Sequence, residues 1–250
     1  MSASEDRENW DFYLCQVDDR PGSIFLNLDL AAEHPPFDTM YFAAIELLEP
    51  AEHGMGSEAE AEFMGPLQDG ILEGTQAAGL CYVGRLRNNS IWQLALYGEA
   101  GRESDLERVV SEALKGGKRR FQVGSGLDPE WSYYHGFLYP NAERWQWMQD
   151  RKVVEALARN GDAGQRPREV DHWVGFEGET SRAAFVASAK KLGFSARDLP
   201  EPKGGLYLAQ VVREDPVLLE HIHQVVMELI DLAEQNSGTY DGWESPVLST

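Results

Sequence analysis

The 250-residue chain is poor in basic side chains, in cysteine and in long apolar runs. Its 22 lysines and arginines stand against 42 acidic residues, so the formal net charge is −20 at pH 7. A chain this acidic repels phosphate backbones, which argues against passive nucleic-acid binding. No apolar run approaches the roughly 18 residues of a membrane span, and the first ten residues lack the regions of a signal peptide. We therefore expect a soluble cytoplasmic protein with neither membrane nor direct nucleic-acid partners.

The residue types that usually carry chemistry are also sparse. Cys15 and Cys81 lie in separate apolar runs without a CxxC motif, and they are expected to be reduced core residues. The glycines that flank Ser125 fit neither a nucleophile elbow nor a dinucleotide-binding turn. His221 and His223 point about 200° apart on a helix and cannot chelate one ion, and His223 is expected outside the apolar stripe. These patterns predict no metal and no cofactor.

Strand patterns dominate the first hundred residues. Apolar and polar side chains alternate at 10–17, 23–30 and 40–48, with turn residues between these segments. Two further strands, at 80–86 and 91–97, are separated by Asn88-Asn89-Ser90, which predicts a hairpin.

Capping motifs predict where helices begin. Ser57 with Glu60 forms a capping box for a helix that Gly65-Pro66 should kink, and Ser104 with Glu107 forms a second one. Further helices are expected from Asn141, from a cap at Thr180, and after Asp215 as an N-cap, with a turn at 200–205 before the last of these.

The order of these elements predicts the fold class. Residues 40–124 and 167–248 both follow the order β-α-β-β-α-β, which is the ferredoxin-like signature. We therefore predict an α+β protein with two ferredoxin-like units, each an antiparallel sheet with helices on one face. The predicted domains are an α+β domain at 1–140 and a ferredoxin-like domain at 141–250.

The charge is distributed unevenly along the chain. Residues 1–100 carry 18 acidic and 4 basic side chains, and residues 201–250 carry 9 and 2, around a nearly neutral middle. Acidic ends of this kind could attract a basic partner, or they could be solvated faces that keep the protein soluble. The densest cluster of basic residues is Lys115–Arg120. Together with Phe121 it could bind RNA, or its positive charges could interact with the dipole at a helix C-terminus.

The segment Gly238–Glu244 has the most distinctive composition. Tyr240 and Trp243 flank the turn dipeptide Asp241-Gly242, so they could pack across a structural turn. Alternatively, the two rings and Asp241 could form a recognition surface, because Trp and Tyr are frequent interface anchors.

Four features stand out in the last hundred residues: Tyr240-Asp-Gly-Trp243 after a long helix, Arg168-x-Val-Asp-His172, Leu192-Gly-Phe194 and Asn160-Gly-Asp162. Together they resemble the bacterial regulator of ribonuclease E activity B family, small acidic proteins that inhibit this endoribonuclease by binding it. The part before about residue 140 contains Trp10-x-Phe-Tyr13 and Asp128-Pro-Glu-Trp131, and through them it resembles a bacterial domain family of unknown function.

The resemblance implies a ferredoxin-like C-terminal domain, no catalytic residues, and contact with the Arg-rich scaffold region of ribonuclease E. We accordingly predict a non-enzymatic acidic protein that regulates RNA degradation through a basic protein partner. The predicted partner-binding residues are Tyr240, Asp241, Trp243, Glu244 and His172.

The rival hypothesis is a hydrolase-type enzyme with an unrecognised cleft between the two domains. Asp171 and His172 are adjacent on a predicted strand, where neighbouring side chains face opposite ways, and Glu177 follows the strand. These three residues are the candidates that an enzyme of this kind would use.

Overall fold

A computed structural model describes residues 9–197 and 205–248 of the chain. It divides the chain into two compact units, Met1–Arg144 and Trp145–Thr250. The first eight residues and most of the turn predicted at 200–205 lie outside the described residues. The domain limits 1–140 and 141–250 stay a prediction.

The N-terminal unit contains an antiparallel sheet of six strands with the order β1-β2-β4-β5-β3-β6. Strands β3 to β6 and helices α1 and α2 of this unit follow the ferredoxin-like order. The β1–β2 hairpin extends the sheet on one side. The elements are β1 (Trp10–Val17), β2 (Arg20–Asn27), β3 (Thr39–Glu46), α1 (Glu58–Ala77), β4 (Cys81–Asn88), β5 (Ile91–Gly98), α2 (Glu103–Ala113) and β6 (Phe121–Leu127).

The C-terminal unit repeats this topology with a sheet of four strands in the order β10-β7-β9-β8. All three strand pairs are antiparallel, and α4 and α5 pack on one face. The predicted α+β class with two ferredoxin-like units is confirmed. The elements are α3 (Ala142–Arg159), β7 (Arg168–Phe176), α4 (Glu179–Lys191), β8 (Ser195–Arg197), β9 (Tyr207–Asp215), α5 (Leu219–Gln235) and β10 (Gly238–Glu244).

The predicted hairpin between β4 and β5 is confirmed. Asn89 and Ser90 form its two-residue turn with φ angles of 50° and 66°, the left-handed geometry that a tight hairpin of this type needs. Alternate residues of β5, namely Trp92, Leu94 and Leu96, then face α1 and α2 in one buried cluster.

Helix α1 is continuous through Pro66, so the expectation of a discontinuous helix is wrong, while the kink at Gly65-Pro66 stays a prediction. Ser57 is the N-cap, as predicted, and its hydroxyl accepts the Glu60 backbone N–H at 3.1 Å. Buried side chains recur along one stripe of α1, so packing outweighs the cost of proline. Gly74 has a structural role, because a Cβ there would lie 2.7 Å from Val109 of α2.

The other predicted N-caps are wrong because tertiary contacts set the helix starts. Helix α2 begins at Glu103, where the Tyr41 hydroxyl accepts the Arg102 backbone N–H at 3.1 Å and places Ser104 inside the first turn. Helix α4 begins after Gly178, before the predicted cap at Thr180. Asp215 ends β9 and bonds to side chains, while α5 begins after Leu218.

A second layer of aromatic side chains packs in the N-terminal unit. Trp131 stacks on Tyr97 with ring centroids 3.9 Å apart, and the Tyr13 hydroxyl donates to the Leu138 carbonyl at 2.8 Å. Cys15 and Cys81, the two cysteines of the sequence, are not joined by a disulfide and are half-buried. None of the helices in the described ranges combines the length and apolarity needed to cross a membrane.

The basic cluster is largely paired within the N-terminal unit. The Arg119 guanidinium is buried against the Glu60 carboxylate, with Nη2 3.2 Å from Oε2, and stacks on Phe63. The exposed Arg120 bonds to Glu46 at 2.9 Å. These contacts favour the structural interpretation of the cluster over RNA binding.

Candidate functional site

The segment Gly238–Glu244 forms β10 at the edge of the C-terminal sheet. Its register against β7 shifts between Tyr240 and Gly242, so that Asp241 is the extra residue of a β-bulge. Gly242 has a φ of 149°, which glycine adopts readily. Because of the bulge, Tyr240 and Trp243 both face the helices, although a regular strand would place residues three apart on opposite faces.

Trp243 is anchored to a buried carboxylate on α3. Its indole Nε1 donates to Asp150 Oδ1 at 2.9 Å, and the Asp150 side chain is fully buried. The ring packs in an apolar cluster with side chains of α3, β7 and α5, including Leu157, Val170 and Ile222.

Asp150 accepts two further hydrogen bonds, from residues that the sequence interpretation missed. Gln146 Nε2 donates to Oδ1 at 2.9 Å, and His223 Nδ1 donates to Oδ2 at 2.8 Å. His223 is not among the buried apolar residues of α5, yet its side chain is only 16% exposed and bonds to Asp150 on α3. Asp150 therefore connects α3, α5 and β10.

His172 and Tyr240 form a second polar contact on the same face of the sheet. The Tyr240 hydroxyl and His172 Nδ1 are 2.8 Å apart, and His172 is fully buried. Burial lowers the pKa of His172 from 6.5 to about 4 and raises the pKa of Tyr240 well above its usual value. Both side chains are therefore neutral at physiological pH.

An acidic surface lies on the opposite side of β7 and β10. Glu244 is directly opposite Asp171 in the strand register, and Glu169 precedes Asp171 by two residues on the same face. Arg197 neutralises part of this charge, with Nε 2.9 Å from Asp171 Oδ1 and Nη2 3.3 Å from Glu169 Oε2. We call Glu169, Asp171, Asp241 and Glu244 the acidic edge.

The structure separates the predicted site residues into two groups. His172, Tyr240 and Trp243 point into the unit, where they pack and form hydrogen bonds. Asp241 and Glu244 are exposed to solvent. Direct recognition can therefore come from the two carboxylates, while the two rings hold the strand that presents them.

The residues named for the rival hydrolase are not brought together. His172 faces the buried side of β7, whereas Asp171 faces the other side and bonds to Arg197 and to Gln210 Nε2 at 2.6 Å. His221 and His223 bond separately to Asp215 and Asp150. The described residues contain no group of three metal-ligating side chains that could hold an ion.

A weak signal for Asp150 is present in the sequence. Gln146 and Asp150 are spaced i, i+4 on α3, close to the apolar stripe that includes Met148 and Leu157. A polar pair this close to a buried stripe indicates a buried hydrogen-bond network, although its partners come from distant elements.

Comparisons with solved structures give only remote likenesses. A candidate glycine cleavage system transcriptional repressor is 8% identical, with a TM-score of 0.24, over 85% of this chain and 100% of that chain. An unknown protein from Galdieria sulphuraria is 13% identical, with a TM-score of 0.23, over 84% of this chain and 99% of that chain. At such TM-scores neither likeness carries an argument. The search of curated proteins finds no significant match.

Two protein families match the chain. Residues 147–245, which include Asp150, the acidic edge and Trp243, match the family described as regulator of ribonuclease activity B. At the family level, this region is therefore similar to regulators of ribonuclease activity. Residues 8–139, just over half of the chain, match a family of unknown function. The chain therefore belongs to the family of unknown function DUF695, with a C-terminal region that matches the regulator of ribonuclease activity B.

Proposed function

We propose that this protein is a non-enzymatic regulator of ribonuclease E in the cytoplasm, and that its C-terminal unit acts by binding the enzyme. The observation that carries the proposal is the match of residues 147–245 to the regulator of ribonuclease activity B. A protein that inhibits an enzyme by binding it needs an exposed surface that contacts the enzyme, and it needs no catalytic group.

The acidic edge is the surface that we assign to the partner. Asp171 and Glu244 are cross-strand neighbours, and like charges at such positions repel each other. Arg197 offsets this repulsion for Asp171 and Glu169. Glu244 and Asp241 have no ion pair within the described residues, so a cationic partner would relieve the remaining repulsion.

The chemistry of this surface favours an Arg-rich segment. Guanidinium groups bind carboxylates through two parallel hydrogen bonds, and exposed charge pairs accelerate association in a salt-dependent way. The formal charge of −20 adds long-range attraction for any basic segment. The Arg-rich scaffold region of ribonuclease E has this chemistry.

The test is a binding titration of the full chain against the Arg-rich region of ribonuclease E, repeated at rising salt. We expect saturable binding at low salt that weakens as salt screens the charges. The double variant Asp241→Lys/Glu244→Lys should reduce the affinity by about tenfold or more, because it replaces two attractive charges by two repulsive ones.

A matched control carries the same change of charge on the N-terminal unit. Glu62 and Glu73 are exposed on α1, so Glu62→Lys/Glu73→Lys should weaken binding only through the net charge. Trp243→Phe, which removes the N–H that reaches Asp150, should alter stability more than affinity. Absence of saturable binding at low salt would overturn the proposal, and equal losses in the two charge variants would exclude the acidic edge as the contact.

A further inference from the structure

Two arginines of the N-terminal unit have no carboxylate partner among the described residues. Arg85 and Arg87 are two of the four basic residues among the first 100, a stretch that carries 18 acidic residues. They lie two residues apart on β4, so both side chains project from the same face of the sheet. Among the described residues, no ion pair joins either guanidinium to a carboxylate, despite this excess of acid.

Aromatic rings hold both side chains in place. Arg85 is opposite Phe25 in the register, and its guanidinium carbon lies 5.2 Å from the Phe25 ring centre and 4.2 Å from that of Trp92. Arg87 is opposite Trp92, and its guanidinium carbon lies 5.5 Å from that ring. Cation–π contacts of this kind fix the planes of the guanidinium groups and leave the N–H groups at their edges available.

The hydrogen-bond donors at this site exceed the acceptors that surround it. Arg85 Nη1 donates to Gln68 Oε1 at 3.1 Å. The Nε atoms of Arg85 and Arg87 and the Tyr82 hydroxyl are enclosed and have no hydrogen-bond partner in the part of the chain that the structure describes. Arg85 Nη2 and the terminal nitrogens of Arg87 have no acceptor among the described residues and are not enclosed, so they reach solvent.

The electrostatic state of these groups favours an anion. Burial lowers the pKa of both guanidinium groups, because their positive charge is less stable away from water. Burial also raises the pKa of Tyr82, so this side chain remains protonated. A partly buried cation is stable when an anion or several acceptors surround it. The described part of the N-terminal unit supplies Gln68 and the rings, and it places no anion beside the two guanidinium groups.

We propose that Arg85 and Arg87 form a clamp for a small oxyanion, a carboxylate or a phosphate, carried on an apolar or aromatic body. The two residues are about 6.8 Å apart along the strand, a spacing that lets both guanidinium groups converge on one oxyanion. Trp10 stacks on both Phe25 and Tyr82 beside them, with ring centroids 5.1 Å apart in each case. Trp10 is half-buried, so the outer side of this aromatic group offers apolar contact to the body of the ligand. A small ligand fits better than an acidic polymer, because the surrounding negative charge repels a polyanion.

The experiment titrates the full chain with inorganic phosphate, acetate and benzoate at low ionic strength, and follows the indole N–H signal of Trp92 by NMR. We expect a saturable shift of this signal, because the Trp92 ring contacts both guanidinium groups. Tighter binding of benzoate than of acetate identifies contact with an apolar body, and preference for phosphate identifies a phosphate group.

The decisive variant is Arg87→Gln, which keeps a polar side chain and removes the guanidinium. It should lower the affinity by about tenfold or more, whereas Arg108→Gln, which removes an exposed charge on α2, should not. Arg85→Gln should act like Arg87→Gln; if it fails to fold, the Arg87 variant still decides the question, since Arg87 donates no hydrogen bond to the described residues. The proposal is overturned if none of the three anions saturates, if Arg87→Gln and Arg108→Gln behave alike, or if poly-glutamate binds more tightly than benzoate.

Discussion

The two units share the ferredoxin-like order of strands and helices, but their buried charged side chains differ in how they are paired. In the C-terminal unit the buried Asp162 and Arg168 side chains pair with each other, and the buried Asp150 accepts three hydrogen bonds. The N-terminal unit also has a buried pair, Arg119 with Glu60, yet two partly buried arginines on β4 have no carboxylate partner within residues 9–197 and 205–248. A buried charge that is satisfied within its own unit has a structural role, whereas one that is not satisfied points to a ligand.

The largest test of this comparison is to break the Asp162–Arg168 pair. Arg168→Met leaves the Asp162 carboxylate buried without its guanidinium, so the free energy of unfolding of the C-terminal unit should fall by about 3–5 kcal/mol. Urea unfolding combined with hydrogen exchange on peptides from each unit measures the loss. Arg120→Met, at an exposed ion pair, is the control and should cost less than about 1 kcal/mol.

The same pair has a defined pH dependence. The Arg168 guanidinium holds the pKa of Asp162 far below its usual range, so the stabilisation is present above the unfolded pKa near 3.9 and is lost as the pH falls through the folded value. The loss of unfolding free energy caused by Arg168→Met should therefore become smaller below about pH 4. A loss below about 1 kcal/mol at pH 7 would show that the pair is not a structural contact.

A smaller effect is expected from His172, which is buried in its neutral form. Its folded pKa, about 4, lies below the ordinary 6.5, so the unfolded chain binds the extra proton between these values. The stability of the C-terminal unit is complete above about pH 6.5 and falls toward pH 4, by at most about 3 kcal/mol. His172→Phe should remove this slope, whereas His53→Gln, at an exposed histidine, should retain it. An unchanged slope in His172→Phe would assign the pH dependence to other groups.

The sequence predicts the local elements of both units better than their tertiary contacts. The alternation of apolar residues and the Asn89-Ser90 turn fix β4 and β5, because these signals depend on neighbouring residues alone. The start of α2 depends on the Tyr41 hydroxyl, which lies 61 residues away in the sequence, so its capping box is misleading.

The candidate site shows the same limit. Tyr240, Asp241 and Trp243 are distinctive in the sequence, but the bulge that turns both rings inward is set by the register of β10 against β7. Asp150 is 93 residues from Trp243 and could not be linked to it from spacing. Local sequence patterns thus identify the segment Gly238–Glu244. Its pairing with β7, which is distant in the sequence, determines which of its side chains face solvent.

The smallest change in unfolding free energy is expected for a substitution of Arg87 in the N-terminal unit. Arg87→Met removes a charge that has no carboxylate partner among the described residues, and it keeps an apolar stem over Trp92. The lost cation–π contact and the relieved desolvation therefore nearly cancel. The free energy of unfolding of this unit should change by no more than about 1 kcal/mol, in contrast to Arg168→Met. Benzoate or phosphate should then stabilise the wild-type chain and not the variant, because only a ligand that binds the folded state raises its stability. A loss of about 3 kcal/mol or more in unfolding experiments without added anion would show that Arg87 is satisfied within the fold, and the contrast between the two units would disappear.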